Sequence, residues 1–494
     1  MANELQTVRV LTEPTIILDD LQFEDTEEGT STVRGHPTTP DKPSKQFGGA
    51  FPLIKINGYL FPPPQIVSLR LSSTSERPTL TIKILVKDKS FYSTSFPKDG
   101  DVMSMMIRSK VEPFKPVHND YEITSVNIYS PPGSGENDYD DMTISGVLRI
   151  PGYDAVKCFS VKDISLKAVL KVATDLKLGF STNEVSTSDM QTWICPNEKV
   201  KDFLKETTLS AWKDEKSFYS YFIDHYYYLN FINQEPFYSE QPDIEEAISI
   251  LRMSQDYGKD SEIHKSLSKT VMSNWDDISQ TQFYINNYSL INNSSSISLK
   301  NGYKRYAQYY DSVLKENQSF FVDPKTTEGS EREKQLLRGR PLEDFYLEQI
   351  NTKWMGVQYG KNGENCHEKF NYARVTNYQN DIHIEKMGIR LSLANCNFNL
   401  RRMQTVPVVI IIKKDTVRKK LNEPVDSDQQ LSHPNANEPN REKSALSFEQ
   451  TPFVVDRTIS GFYVIDKLEY IYEEGNFRQE CILLRREWNP PPQV

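Results

Sequence analysis

The chain has 494 residues, with 68 Asp and Glu against 58 Lys and Arg, and a formal charge of −10. That balance works against general nucleic-acid binding, because counterion release needs clustered cations. There is no long apolar run, and the opening MANELQTVRVLTEPT has neither a basic nor an apolar signal region, so neither membrane insertion nor secretion is expected.

At roughly 150 residues per domain, the length predicts three or four domains. Hydrophobic content is 37%, and 26 Tyr and 24 Phe supply much of the burial through amphipathic rings. Residues 1–48 hold the stretch 19-DDLQFEDTEEGTSTVRGHPTTPDKPSKQ-46, which lacks hydrophobic period and reads as an acidic flexible arm that orders on a partner. Residues 49–160 read as a first β domain. Alternating segments at 65–73, 79–88, 101–109, 121–130 and 142–150 are separated by turns rich in Pro, Gly, Asp and Asn, as in a small antiparallel barrel or sandwich.

The period changes in residues 161–237, which form an α+β module. Leu166, Val169, Leu170, Ala173 and Leu176 make one helical stripe, with Ser165 as the expected N-cap and Gly179 as the stop. A second helix follows 193-WICPN-197, with Asn197 as its expected cap. Two aromatic strands then flank a turn at Asp224-His225. Residues 238–380 are a mixed peripheral segment, helical near 242–254.

Residues 381–494 read as a second β domain, with strands at 383–396 and 405–414 and a charged loop at 415–450. Its last unit is 458-TISGFYVIDKLEYIYEEGNFRQECILLRREW-488. Glu474-Gly475-Asn476 supplies a turn, with Phe462, Val464 and Asp466 on one strand face and Tyr463, Ile465 and Lys467 on the other. An isolated strand pair is marginal in water, so this one completes a sheet begun earlier. Apolar residues on both faces suit a covered barrel wall.

The residues suggest no chemistry. G-x-S-x-G, H-E-x-x-H, P-loop and G-x-G-x-x-G patterns are missing. Cys158, Cys195, Cys366, Cys396 and Cys481 are odd in number without a C-x-x-C pair, which argues for reduced, buried thiols rather than disulfides or zinc. The cluster 136-ENDYDD-141 lacks the spacing of a calcium loop, His367 beside Cys366 does not make a site, and Asp224-His225 suits turn chemistry better than acid/base work. No catalytic, cofactor-binding or metal residue is therefore assigned, and no cofactor. The residues singled out are interface or packing anchors: Trp193, Pro196, Phe462, Tyr463, Tyr470, Arg485, Arg486 and Trp488. Neighbouring strand residues point opposite ways, so one of Arg485 and Arg486 is expected to pair across an interface.

The segments 189-DMQTWICPNEKVKDFL-204, 217-SFYSYFIDHYYYLNFIN-233, 354-WMGVQYGKNGENCHEKFNYARVTNYQNDIHIEKMGIRLSL-393, SGFYVIDKLEYIY and LLRREW resemble the central baseplate hub family of contractile-tailed, T-even-like bacteriophages. That family is itself similar to late-control D proteins and to the hub half of type VI secretion spike proteins. The resemblance covers most of residues 160–490. It implies an α+β fold with two tube-like antiparallel β-barrel domains, an α+β middle module and peripheral insertions. It further implies a non-enzymatic homotrimer that adapts the hexameric tail tube to the trimeric spike. DNA would pass through its lumen without sequence-specific binding, and the subunit would be assembled in the host cytoplasm into the virion's tail baseplate. The arm and the 415–450 loop have no counterpart in the family pattern, and the spike is expected to be a separate protein. A tail-associated peptidoglycan hydrolase and a carbohydrate-binding tail protein are the alternative readings.

Overall fold

The computed structural model describes residues 8–18, 52–107 (apart from 75, 88, 89 and 99), 116–129, 139–239, 244–256, 261–262, 271–275, 283–293, 304–311, 315–322, 335–336, 340–341, 350–358, 366–413 (apart from 386) and 453–485 (apart from 474). Most of the expected arm and the whole 415–450 loop lie outside these residues.

After a short strand β1 (Arg9–Thr12), the first β region contains β2 (Leu53–Ile56), β3 (Tyr59–Leu60), β4 (Ile66–Ser73), β5 (Thr79–Val86), helix α1 (Ser90–Thr94), β6 (Val102–Ile107), β7 (Val117–Tyr129) and β8 (Asp140–Leu148). Strict alternation explains the strands. In β5, Leu80, Ile82, Ile84 and Val86 are buried while Thr79, Thr81 and Lys83 stay at the surface. The antiparallel order is β4-β5-β8-β7-β6-β2-β3.

The module that follows contains β9 (Val156–Asp163), α2 (Ser165–Asp175), β10 (Gly179–Thr182), β11 (Gln191–Lys199), α3 (Val200–Ser210), β12 (Tyr219–Ile223), β13 (Tyr228–Asn233) and α4 (Glu235–Ser239). β9 and β11 form a ribbon, and the sheet order is β1-β10-β13-β12. Thus Arg9–Thr12, which the sequence reading places in a flexible arm, is a strand paired with β10 of the same chain. The apolar stripe of α2 is buried against α3 and the strands of its own module, but three expected end signals are corrected. Ile164, not Ser165, is the N-cap of α2 and makes no side-chain cap bond. Lys177 takes the left-handed position after α2, at φ 61°. Gly179 instead opens β10, where a Cβ would lie 2.5 Å from Tyr228 Cδ1. Asn197 sits inside β11 at φ 58°, where the register against β9 slips between Pro196 and Glu198. The N-cap of α3 is Lys199, without a side-chain cap bond.

The mixed segment supplies α5 (Ile244–Asp256), β14 (Met272–Ser273), β15 (Ile285–Asn292), β16 (Lys304–Asp311), β17 (Glu316–Val322), the ribbon β18 (Gln335–Leu336) with β19 (Arg340–Pro341), β20 (Ile350–Gln358) and α6 (Phe370–Ile384). Residues 383–384, expected as strand, end α6. The strand proper is β21 (Met387–Leu393), followed by β22 (Thr405–Val409), β23 (Ile411–Lys413), β24 (Phe453–Val455), β25 (Gly461–Glu473) and β26 (Asn476–Leu484). The expected 405–414 strand divides at Ile410, whose N–H donates to Ser460 Oγ at 2.9 Å.

The terminal hairpin joins the two β regions. β25 pairs with β26 along its length, while its first half also pairs with β22 (Val464↔Thr405) and its second half with β4 (Tyr470↔Leu71). One sheet of 13 strands results, in the order β15-β21-β26-β25-β4-β5-β8-β7-β6-β2-β3, with β22 and β14 branching from β25. A bulge between Ile465 and Lys467 interrupts the expected alternation at Asp466. Both faces of β25 are covered, and by this chain's own residues. Tyr463, Ile465 and Leu468 enter one apolar cluster and Val464 another. The described fold is mostly β with few helices, and no helix among the described residues is long and apolar enough to cross a membrane.

Candidate functional site

The anchors named from sequence fall in two places. Trp193 is 4% exposed and donates from Nε1 to the Asp163 carbonyl at 2.9 Å, which pins β11 to the end of β9. Pro196, three residues along, is exposed on the same strand. Both line a groove of about 580 Å³ with Ile194, Phe203, Phe370 and Arg374, between β11, α3 and the start of α6. Phe462, Tyr463 and Tyr470 are buried in β25. Tyr470 stacks on Phe398, with centroids 5.2 Å apart. Arg485 lies over the Tyr463 ring at 5.5 Å and donates to the Ser460 carbonyl at 3.3 Å, so its contacts here are within the chain. Arg486 and Trp488 lie outside the described residues.

What holds the module against these anchors is a set of buried polar side chains that the sequence did not single out. Asp189 is fully buried. Its Oδ1 accepts from the Ser165 N–H at 2.9 Å and from Thr187 Oγ1 at 2.6 Å, and its Oδ2 accepts from the Trp212 N–H at 2.8 Å. It thereby does the capping work expected of Ser165 and ties the start of α2 to the exit of α3. At that exit, Asn377 of α6 donates from Nδ2 to the carbonyls of Leu209 (2.8 Å) and Ala211 (3.0 Å), and its Oδ1 accepts from the Tyr219 N–H at 3.2 Å. His367 Nε2 lies 2.9 Å from the Ser210 carbonyl. Helix-end carbonyls need such partners when buried, and here they come from more than 150 residues away. Burial holds the His367 imidazole below its ordinary range, against the raising effect of the Ser210 carbonyl.

A second cavity of about 610 Å³ lies between the module sheet and the 399–405 loop. Its floor is one transverse row of the sheet, Val10, Ser181, Asn230 and Phe222, and its roof includes Arg401, Arg402, Met403 and Gln404. Arg402 lies over the Phe222 ring at 4.5 Å and 3.5 Å from Asp466. At the end of the cleft, Asp224 accepts from the N–H groups of Tyr226 (2.8 Å) and Tyr228 (3.0 Å), the turn role read from sequence. Burial raises its pKa, and those N–H groups oppose the rise. His225 is buried edge-on against Tyr470, with centroids 5.4 Å apart. Burial first, then the Arg402 charge, push it down to about 4. Asp224 is held by backbone and His225 by ring packing, so the two do not form a proton-transfer pair.

Asp140 accepts from Tyr92 Oη at 2.8 Å and Asp141 pairs with Lys83 at 2.8 Å, so the described part of the acidic cluster is engaged in β8. Among the described residues, no three His, Cys, Asp or Glu side chains converge as metal ligands. All five cysteines are free, but Cys158 is exposed, against the expectation of burial, because it falls on the outward face of the β9–β11 ribbon.

No protein-family model matches the chain, and no curated protein matches it in sequence. Among solved structures it is similar to the tail protein from Neisseria meningitidis MC58, with 10% identity and a TM-score of 0.47 over 89% of this chain and 97% of that one. It is also similar to the 43 kDa tail protein of prophage MuSo2 from Shewanella oneidensis, with 7% identity and a TM-score of 0.45 over 89% and 99%. A third is an E. coli component of the type VI secretion system, with 8% identity and a TM-score of 0.36 over 89% and 79%. These three solved structures are two tail proteins, one of them from a prophage, and a type VI secretion component, in keeping with the classes that the sequence resembles.

Proposed function

We propose that this chain is a structural subunit of a phage-type tail, the central baseplate hub. In this reading it is a homotrimer that joins a hexameric tail tube to a trimeric spike and forms part of the DNA conduit. The hub segments quoted from the sequence support the reading, and strand pairing is the structural observation that carries it. In the second β region, pairing runs β15–β21–β26–β25–β22–β14, and a bridge from Ser273 to Tyr284 leads from β14 back to the start of β15. A tube wall requires strand edges used in this way. The first β region shares β25 with that ring through β4, which supports two successive tube-like domains, residues 49–160 and residues 381–494, the second completed by β14 and β15 from the preceding segment. The module of residues 161–237 and the rest of the segment 238–380 would dress them, with Trp193, Pro196, Phe462, Tyr463, Tyr470, Arg485, Arg486 and Trp488 as packing or interface anchors.

The test is the solution mass by multi-angle light scattering, alone and with the spike protein of the same genome. The expected result is about three times 57.1 kDa, in either condition. A monomer in both conditions would refute the reading.

A further inference from the structure

The groove between β11, α3 and the start of α6 is apolar and aromatic. Trp193, Phe203 and Phe370 line it, with Ile194 and Pro196 along the β11 side, and Ile194 is left 58% exposed. Aromatic-lined grooves suit proline-rich segments, whose rings hold an extended helix at low entropic cost. The charges in the lining are Glu198, Glu206 and Arg374. Arg374 pairs with Glu206, which leaves Glu198 unmatched. Lys157, opposite Glu198 in the ribbon, extends toward Gly152. Lys201 pairs with Asp154 at 2.8 Å, and Lys199 and Lys205 are exposed outside the lining. Among the described residues Glu198 makes no ion pair. Burial, then the charges of Glu206 and Asp202, push its pKa up, so this end of the groove calls for a cation.

The segment 486-REWNPPPQV-494 carries an arginine, a large ring and three successive prolines. Extended at about 3.1 Å per residue, Arg486 to Pro492 spans about 19 Å, close to the length of about 23 Å from Gln191 to Glu198 along β11. The segment cannot serve its own groove in this way. Arg485 is held at Met387, beyond the end of α6, whereas Phe370 and Arg374 lie at the start of that helix. The 15 residues of α6 rise about 22 Å, and one step from Arg485 to Arg486 adds only about 3.4 Å of chain. Arg485 itself is engaged within the chain by Tyr463 and Ser460, so of the two neighbouring arginines Arg486 is the one left for an interface.

Resting on the hub reading, in which copies of the chain meet, we propose that residues 486–494 of one copy dock in the β11–α3–α6 groove of the next, with Arg486 against Glu198 and the prolines on Trp193 and Phe370. Each copy gives one segment and receives one, the head-to-tail contact that closes into a ring.

The test is a photo-cross-link combined with a charge swap. Full-length chain carrying Trp488→benzoylphenylalanine is prepared in light and heavy isotopic forms, mixed with the spike protein of the same genome, irradiated and mapped by mass spectrometry. Links from position 488 should fall on residues 191–206 or 366–374 and should join light to heavy chains. E198R and R486E should each lower the yield about tenfold, because each puts like charges together, and the double variant E198R/R486E should restore it. Restoration also shows that the single variants fold, and if E198R fails to fold, R486E carries the same expectation. Links that stay within one chain or fall elsewhere overturn the proposal, as does a yield that neither reversal moves. Light scattering on the same samples separates the two readings. A trimer without these links loses the docking and keeps the hub, whereas a chain that stays monomeric with spike protein loses the hub, and the docking with it.

Discussion

Asp189→Ala is the sharpest test of how the module is held. The substitution deletes the acceptor for three groups at once: the Ser165 N–H in the first turn of α2, the Trp212 N–H after α3, and the Thr187 hydroxyl. Asp189 is 0% exposed, so water does not simply take its place. A buried donor without a partner costs about 1–3 kcal/mol, and loss of a helix cap alone about 1 kcal/mol. With partial relaxation, the expected loss is about 4 kcal/mol, large against a domain stability of about 5–15 kcal/mol. Asp189→Asn keeps one acceptor oxygen but turns an amide toward a donor, and should lose about half as much. Trp193 and Trp212 flank the site, so urea unfolding followed by tryptophan emission reports on it. The exposed Asp175→Ala serves as the control. An Asp189→Ala midpoint indistinguishable from the control's would refute the assignment of Asp189 as the pin between α2 and α3.

Three further outcomes are expected. Asn377→Ala leaves the Leu209 and Ala211 carbonyls without that donor, and should cost about 2–3 kcal/mol; hydrogen exchange would show faster opening at residues 208–219 with the first β region unchanged. His225, depressed from about 6.5 to about 4, resists protonation in the fold. Its stabilising contribution is whole above the unfolded value and is lost as pH falls from 6.5 toward 4, by about 3 kcal/mol; His225→Phe should flatten that part of the acid-unfolding curve, and an unchanged slope would count against the assignment. Gly179→Ala drives a Cβ into Tyr228 and to within 2.9 Å of Pro14 Cδ. It should therefore loosen β1 from β10 and raise protease cleavage near residues 9–15, with little effect on the β25–β26 hairpin.

The sequence by itself determined the elements whose burial is periodic. The α2 stripe, the β4, β5 and β8 alternation, the turn at Asp224 and the terminal hairpin were legible because apolar spacing of 3.6 or 2 is written along the chain. It also carried the hub resemblance, and it pointed to Trp193, Tyr463 and Tyr470 as packing anchors through their aromatic surface. The helix ends were misread because Ser165, Gly179 and Asn197 fit the local rules for caps and stops, whereas here the stop is made by Lys177 and the caps by backbone geometry and a distant carboxylate. Only the tertiary structure decided that β25 pairs at once with β22, β26 and β4, the last nearly 400 residues earlier, since hydrogen-bonded strand edges leave no mark on side-chain type. It alone brought Asp189, His367 and Asn377 to the ends of α2 and α3. A single polar residue that satisfies a distant backbone group has no period and no motif, so its role exists only once the chain has folded around it.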